Sequence, residues 1–201
     1  MRSFVSRWCA ALLLTALALP ASAAPAPKAG EKPEKASAAE TIKKALDSTN
    51  NFDFSGVALP AVLNTLAEQY KINITLDRTV VQQMGFDPDS MAVELKMKEG
   101  KMRSALRALV GQYNLTFATV GDTLLITTEE IAVYRQLKQR VALDFDSVPL
   151  SKATKEMSAK YGVNVVIDPR AVKSKAAENV VTLQVDDVPF EAAIRLMCEM
   201  A

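Results

Sequence analysis

Apolar residues in the first half of the chain switch between the spacing of strands and the spacing of helices. Phe52 and Phe54 alternate with polar neighbours, which predicts a short strand. The apolar residues that follow recur at intervals of three and four, and they predict one face of a helix with Pro60 in its first turn. These helix positions are Leu59, Val62, Leu63, Leu66 and Tyr70. Alternation returns over residues 72–76 and predicts a strand that ends at Asp77.

The same order of elements continues to residue 128. Alternating residues 93–97 predict a third strand, and the apolar spacing over residues 102–113 predicts a second helix. Residues 115–126 predict two strands joined by Gly121-Asp122, because this pair suits a tight hairpin turn. Residues 52–128 therefore have the pattern of one small mixed domain.

Much of this pattern is written twice. Residues 53–81 recur as residues 144–172 without a gap, and eight of the 29 positions are identical. After a loop that is three residues shorter in the second copy, residues 93–113 align with residues 181–201. The identical pairs in the first block are Asp53/Asp144, Phe54/Phe145, Val57/Val148, Leu59/Leu150, Tyr70/Tyr161, Asn73/Asn164, Asp77/Asp168 and Val81/Val172. They are core and turn positions, and the aspartates at the strand ends are expected to accept backbone N–H bonds.

The first 23 residues have the features of a secretory signal peptide. Arg2 and Arg7 precede an apolar run of ten residues, and small residues then predict cleavage between Ala23 and Ala24. The apolar run is shorter than the roughly 20 residues that a membrane span needs. The mature chain is therefore predicted not to span a membrane.

The predicted fold is α+β, with two small βαββα(ββ) modules in tandem. The tether is rich in Pro, Ala, Lys and Glu, and it includes a short helix over residues 40–48 that residues 48–51 are expected to break. The connecting helix over residues 129–140 carries charges of both signs and is predicted to be a solvated linker. The predicted segments are the signal peptide (1–23), the tether (24–51), the first module (52–128), the connecting helix (129–140) and the second module (141–201).

The composition offers little for catalysis or metal binding. The chain has no histidine, and its net charge of +1 disfavours nucleic-acid binding. Asp144 and Asp146 flank Phe145, and they are predicted to be two solvated acids beside a buried ring rather than metal ligands. Cys198 lies in an apolar helical stretch and is predicted to be a small core residue, with an intermolecular bridge or a reactive thiol as alternatives. We predict no catalytic, cofactor-binding or metal-binding residues.

The second copy stops at Ala201, at the end of its second predicted helix, so the closing hairpin of the first copy has no counterpart. Either the sequence is a fragment of a longer protein, or a partner donates a strand to the open edge. Because an open edge exposes unpaired N–H and C=O groups, self-association through it is also expected.

The stretch DFSGVALPAVLNTLAEQYKINITLD, followed by VELKMKEGKMRSALRALVGQYNLTFATVGDTLLIT, resembles the secretin and TonB short N-terminal domain. That family runs strand–helix–strand–strand–helix–strand–strand. The first copy matches the whole module, and the second copy, with Asp187-Val188-Pro189-Phe190-Glu191 at the start of its second helix, matches most of it. The resemblance implies a small periplasmic module for protein–protein contact.

The leading hypothesis is a non-catalytic interaction module of the periplasm or cell envelope, with an envelope or periplasmic protein as its partner and no cofactor. The alternative is the N-terminal periplasmic part of a secretin-type export channel or TonB-dependent receptor whose barrel is not in this sequence. A secreted enzyme is less favoured, because no Gly-rich phosphate loop and no CxxC pair occurs.

Overall fold

The structure is a computed structural model that describes residues 37–173 and 175–201. The predicted signal peptide, its cleavage point at Ala23 and Ala24, and residues 24–36 of the predicted tether lie outside the described residues. The elements up to the end of the first copy are α1 (Ala38–Asp47), β1 (Thr49–Ala58), α2 (Leu59–Tyr70), β2 (Asn73–Leu76), α3 (Arg78–Gln83), β3 (Ala92–Lys101), α4 (Met102–Gly111), β4 (Thr116–Val120) and β5 (Thr123–Thr127). The elements that follow are α5 (Glu129–Lys138), β6 (Arg140–Pro149), α6 (Leu150–Tyr161), α7 (Pro169–Lys173), a 3₁₀ turn (Ala176–Glu178), β7 (Val180–Pro189) and α8 (Phe190–Met200). This mixture of helices and small sheets confirms the predicted α+β class.

Cross-strand pairing makes the long strands longer than their apolar pattern indicates. β1 pairs antiparallel with β3 from Thr49, opposite Lys101, to Ala58, opposite Ala92. The predicted break of the helix over residues 48–51 is confirmed, since α1 ends at Asp47, and the strand that follows begins at Thr49, before its first predicted apolar residue Phe52. Ladder hydrogen bonds to β3 outweigh the low intrinsic strand preference of two adjacent asparagines.

The helix before the first copy packs into the core. The hydroxyl of Ser37 accepts a hydrogen bond from the Glu40 N–H at 3.2 Å, so the helix begins two residues before its predicted start. Ile42 and Leu46 are buried in the same apolar cluster as Leu59 and Leu106. The helix that the sequence places in the tether thus belongs structurally to the first copy.

Two sheets enclose the first core. β1 and β3 form one sheet, and the other has the order β2-β5-β4, with β2 parallel to β5 and β4 antiparallel to β5. Gly121 has a φ of +63° in the turn between β4 and β5, which confirms the predicted hairpin. Leu124 and Ile126 of β5 are fully buried. The β4–β5 hairpin therefore supplies one wall of this core.

The second copy repeats the β1-β3 frame. β6 pairs antiparallel with β7, and each long pair has one register irregularity near its start and another around Gly56 or Ser147. Leu150, Met157, Phe190 and other apolar residues form a second buried cluster. Both clusters lie in one compact unit of the chain.

Backbone conformation follows the repeat as well as the strands do. Three positions with positive φ recur at matching places in the two copies, and they are Gly56/Ser147, Lys71/Gly162 and Glu99/Asp187. The second pair ends a helix: Lys71 caps α2 with a φ of 53°, and Gly162 caps α6 with a φ of 70°. A left-handed residue at this place suits glycine, so Lys71 has the conformation that disfavours its side chain.

We expect Lys71→Gly to raise the free energy of unfolding by up to about 1 kcal/mol, because glycine removes the left-handed strain at the end of α2. Thermal unfolding followed by circular dichroism measures this change. Lys155→Gly, in the interior of α6, is the matched control and should lower stability by about 1 kcal/mol. A loss of stability in both variants would contradict the αL cap at Lys71.

Candidate protein-interaction surface

The stretch that corresponds to β2 in the second copy is not part of a sheet. The repeat aligns residues 163–167 with β2, which pairs in parallel with β5. In the described part of the chain, residues 163–167 pair with no strand, and their single hydrogen bond runs from the Val165 N–H to the Ser158 hydroxyl at 3.3 Å. The strand expected here is missing because the second copy has no described counterpart of β5.

Residues 163–167 nevertheless keep the alternation of a strand. Val163, Val165 and Ile167 are half-buried, whereas Asn164 is exposed and the side chain of Val166 is 76% exposed. Val163 and Val165 pack against the second core. Although the segment belongs to no sheet, its alternation and unpaired backbone are features to which another strand can add.

Helix α5 exposes side chains whose counterparts in α1 are buried. Shifting α1 by the 91-residue offset of the repeat places Ile42 on Val133 and Leu46 on Leu137. Ile42 and Leu46 are 2% and 4% exposed, whereas Val133 and Leu137 are 51% and 36% exposed. The same position in the repeat is therefore covered in the first copy and open in the second.

Helix α8 shows the same difference from α4. Leu106 and Val110 are fully buried in the first copy, but Ile194 is half-buried and Cys198 is exposed in the second. The prediction that Cys198 is a core residue is therefore wrong. Its helix has the expected apolar stretch, but nothing covers that side of the helix among the described residues.

The counterparts of these positions in the first copy are all covered by one element, the β4–β5 hairpin. In the first copy, α1, α4 and β2 all contact the β4–β5 hairpin, and their side chains meet Leu124 and Ile126 in a single apolar cluster. The counterparts in the second copy form what we call the open face. Its members are Val133, Leu137, Val165, Ile167, Ile194 and Cys198. The hairpin that covers this place in the first copy has no described counterpart in the second.

Sequence reasoning missed the α5 part of the open face. Val133 and Leu137 lie in the helix that was predicted to be a solvated linker, because its charged residues hide the apolar pair. Extending the repeat backward by its own offset would have matched them with Ile42 and Leu46. The α1 helix itself was assigned to the tether, so its apolar residues were not aligned with those of α5.

Two glutamine side chains fix α5 to the first copy. Gln136 donates from Nε2 to the Thr119 carbonyl at 3.3 Å, and the Gln139 Oε1 accepts from the Gly121 N–H at 3.2 Å. Nearby, a cleft of about 370 Å³ is lined in part by Thr119, Gln136 and Asn164. A Cβ on Gly162 would lie 2.8 Å from the Cβ of Thr119, so the two copies touch closely here. These contacts hold the residues before the open edge against β4.

An ion pair recurs at the same place in both copies with its charges exchanged. Asp47 and Arg103 are 3.5 Å apart, and their counterparts Lys138 and Glu191 are 2.5 Å apart. Each pair ties the preceding helix to the start of the second helix of its copy. The hydrogen bond from Lys138 to Glu191 is the main cause that raises the pKa of Lys138, followed by the charge of Glu191. The repeat thus preserves the ion pair, while the positive and negative partners change places.

Because the contact matters more than the sign, we expect the charges of the second pair to be exchangeable. Lys138→Asp alone places two acids together and should lower the melting temperature, and adding Glu191→Arg should restore it. The ion pair of Lys138 with Glu191 also makes stability depend on pH. Its stabilising contribution is fully present below the pKa of lysine in the unfolded chain, and it is lost as the pH rises through the raised pKa of Lys138 in the folded state. A double variant no more stable than Lys138→Asp alone, in melting curves at neutral pH, would contradict this equivalence.

The predicted structural aspartates have the expected roles. The Asp77 carboxylate accepts from the Val80 N–H at 3.3 Å, and the Asp168 carboxylate accepts from the Arg170 N–H at 2.7 Å. Asp144 and Asp146 are exposed on either side of the buried Phe145, as predicted. The structure therefore places these acids in turns and on a strand surface.

The described residues contain no group of three or more His, Cys, Asp or Glu side chains placed to hold a metal ion. No helix among them combines the length and the apolarity that crossing a bilayer requires.

Comparison with protein-family models gives no match for the chain. Comparison with curated proteins gives no match either.

Proposed function

We propose that the chain is a non-catalytic protein–protein interaction module of the cell envelope, of the secretin and TonB short N-terminal type. The observation that carries the proposal is the open face, which combines an unpaired backbone segment with apolar side chains on two neighbouring helices. An exposed apolar surface beside an unpaired backbone segment is typical of a site where another polypeptide binds.

The apolar side chains of the face are suited to contact with another polypeptide segment. Val133, Leu137 and Cys198 are exposed although the repeat offers buried aliphatic residues for the same places. Burying such side chains contributes roughly 25 cal/mol per Å² of apolar surface, so a partner that covers the face gains binding free energy. The aspartates Asp77, Asp168, Asp144 and Asp146 have turn and surface roles, which supports a non-catalytic module.

The sequence supports an envelope location. The signal-peptide pattern of residues 1–23 supports export, and a partner of the exported chain would be an envelope or periplasmic protein. No cofactor is part of this proposal.

Site-specific cross-linking tests the proposed function. The full chain with Cys9→Ser carries one thiol, Cys198, which is exposed on the open face. A thiol-linked photo-cross-linker at this position should form an adduct with a protein from an envelope extract of the cells that make the chain. An excess of unlabelled chain should suppress the adduct.

The matched control moves the thiol off the open face. In the Cys198→Ser background, Val180→Cys places it on β7, where Val180 is 58% exposed and its counterpart in the first copy is the exposed Ala92. We expect little adduct from this position. Equal adducts from both positions, or none from Cys198, would contradict an interaction module that binds through the open face.

A further inference from the structure

We infer that the cleft between the two copies binds the terminal carboxylate of a peptide chain. This site is separate from the open face, since none of the residues that line the cleft is a member of that face. The lining residues lie between positions 39 and 164, and neither β7 nor α8 contributes to them. The inference therefore does not depend on the proposed function or on what covers the open face.

Elements of both copies form the walls of the cleft. Helices α1 and α4 and strand β4 line it from the first copy, and the last turn of α6 with the residues that follow lines it from the second. The close approach of Gly162 to Thr119 joins the two walls. Ligand-binding clefts in proteins begin at about 300 Å³, so a cleft of about 370 Å³ is large enough for a small ligand.

The charged side chains of the cleft are all cationic. Lys43 of α1 and Arg103 of α4 line it, and no Asp or Glu is among the described residues that do so. Arg103 lies 3.5 Å from Asp47, which is outside the lining, whereas Lys43 forms no ion pair within the described ranges of the chain. Two cations without a lining acid favour a carboxylate, because hydrogen bonds between charged groups are the strong ones.

Uncharged polar groups of the cleft match a peptide bond, which offers one N–H donor and one C=O acceptor. The Ser158 hydroxyl accepts from the Val165 N–H at 3.3 Å, and its own O–H is able to donate. The exposed amide of Asn164 carries both a donor and an acceptor. On α5, the Gln136 Nε2 donates to the Thr119 carbonyl, which leaves the Gln136 Oε1 as an acceptor for a ligand N–H.

Apolar side chains provide contacts for the hydrocarbon part of the ligand. Leu46 is buried and Phe117 is half-buried, and both line the cleft from the first copy, with Ala159 from the second. Pockets of this kind bind ligands through apolar contact and use a few polar groups to orient them. A free inorganic anion has neither the hydrocarbon nor the amide, so the lining favours a peptide carboxylate over phosphate.

A titration with two matched peptides tests this inference. The probe is acetyl-alanyl-alanine with a free carboxylate, and its control is the C-terminal amide, which has the same size and no charge. In NMR spectra of the nitrogen-15-labelled full chain, the probe should shift the side-chain amide signals of Gln136 and Asn164, which line the cleft. The amide peptide should bind about tenfold more weakly or less, because it loses the charge-assisted hydrogen bonds to Lys43 and Arg103.

Two double variants locate the carboxylate in the cleft. Lys43→Gln with Arg103→Gln removes both cations from the lining and should weaken the affinity for the probe about tenfold or more. Lys44→Gln with Arg107→Gln removes two cations from the same helices at residues that do not line the cleft, so it should leave the affinity unchanged. The melting temperatures of both variants report that they remain folded.

Three results would overturn the inference: unchanged Gln136 and Asn164 signals in excess probe, equal affinities for the two peptides, or equal losses in the two double variants. Inorganic phosphate that binds as tightly as the probe would show a general anion site and exclude the assignment to a peptide. A longer peptide with the same last two residues distinguishes the sources of the carboxylate. Equal affinity for the longer peptide supports the C terminus of a protein as the ligand, and weaker affinity supports a short free peptide.

Discussion

Phe190→Ala is expected to lower the free energy of unfolding by about 3–5 kcal/mol. Phe190 begins α8, is fully buried, and meets the ring of Tyr161 edge-to-face with 6.2 Å between the ring centroids. It is the largest fully buried side chain in the structure's described part, and alanine would leave a cavity in the second core. Urea unfolding followed by circular dichroism measures the loss.

A neighbour on the same helix provides the control for Phe190. Leu196 is 37% exposed, so Leu196→Ala removes little buried surface and should cost less than about 1 kcal/mol. The backbone N–H of residue 190 donates to the Gln139 carbonyl at 2.9 Å, and alanine preserves that bond. If Phe190→Ala costs no more than Leu196→Ala, the second core is not organised around Phe190.

The second large effect is a difference in the loss of stability on alanine substitution between Leu106 and Ile194, which occupy the same place in the two copies. Leu106→Ala should cost about 2–5 kcal/mol, because Leu106 is fully buried and its removal leaves a cavity next to the β4–β5 hairpin. Ile194→Ala, at the same place in the second copy, should cost about 1 kcal/mol or less, since one side of Ile194 already faces solvent. Both values come from denaturant unfolding under the same conditions.

The alanines one residue earlier provide an internal standard for this comparison. Ala105 and Ala193 are both fully buried, and neither touches solvent in its copy. Ala105→Gly and Ala193→Gly should therefore cost similar amounts, about 1 kcal/mol each from helix propensity. Similar costs for Leu106→Ala and Ile194→Ala, against this standard, would show that the second copy is as well covered as the first.

Periodicity predicted most of the secondary structure. Helix α2 begins and ends at the residues that its apolar spacing indicates, Leu59 and Tyr70, and the Gly121-Asp122 turn joins the strands that it was expected to join. These elements are defined by their own residues: an apolar stripe and a turn residue with positive φ. Local sequence carries that information directly.

Strand ends and strand existence depend on partners, and they were predicted less well. Thr49 is in a strand because Lys101 lies opposite it, although its neighbours in sequence resemble a turn. Residues 163–167 have the alternation of β2 and are not paired, because a strand needs a neighbour that the described second copy does not contain. Pattern alone cannot supply information about the other side of a ladder.

The candidate site consists of residues whose burial depends on what packs against their element. Cys198 was expected in the core because its helix is apolar, but burial depends on what lies against the helix. The repeat supplies that information, since Val110 at the same position is covered by the first copy's own core. Comparing burial at matched positions thus locates a surface that neither copy shows by itself.

Thiol reactivity at matched positions tests the central claim most directly. In the full chain with Cys9→Ser, Cys198 should react with a thiol reagent under native conditions within about tenfold of the rate in the unfolded chain, because it is exposed. When Cys198→Ser and Val110→Cys are added, the single thiol lies in the covered copy. It should react at least about a hundredfold more slowly than in the unfolded chain, since reaction requires local opening. Equal protection of the two thiols would contradict an open face in the second copy.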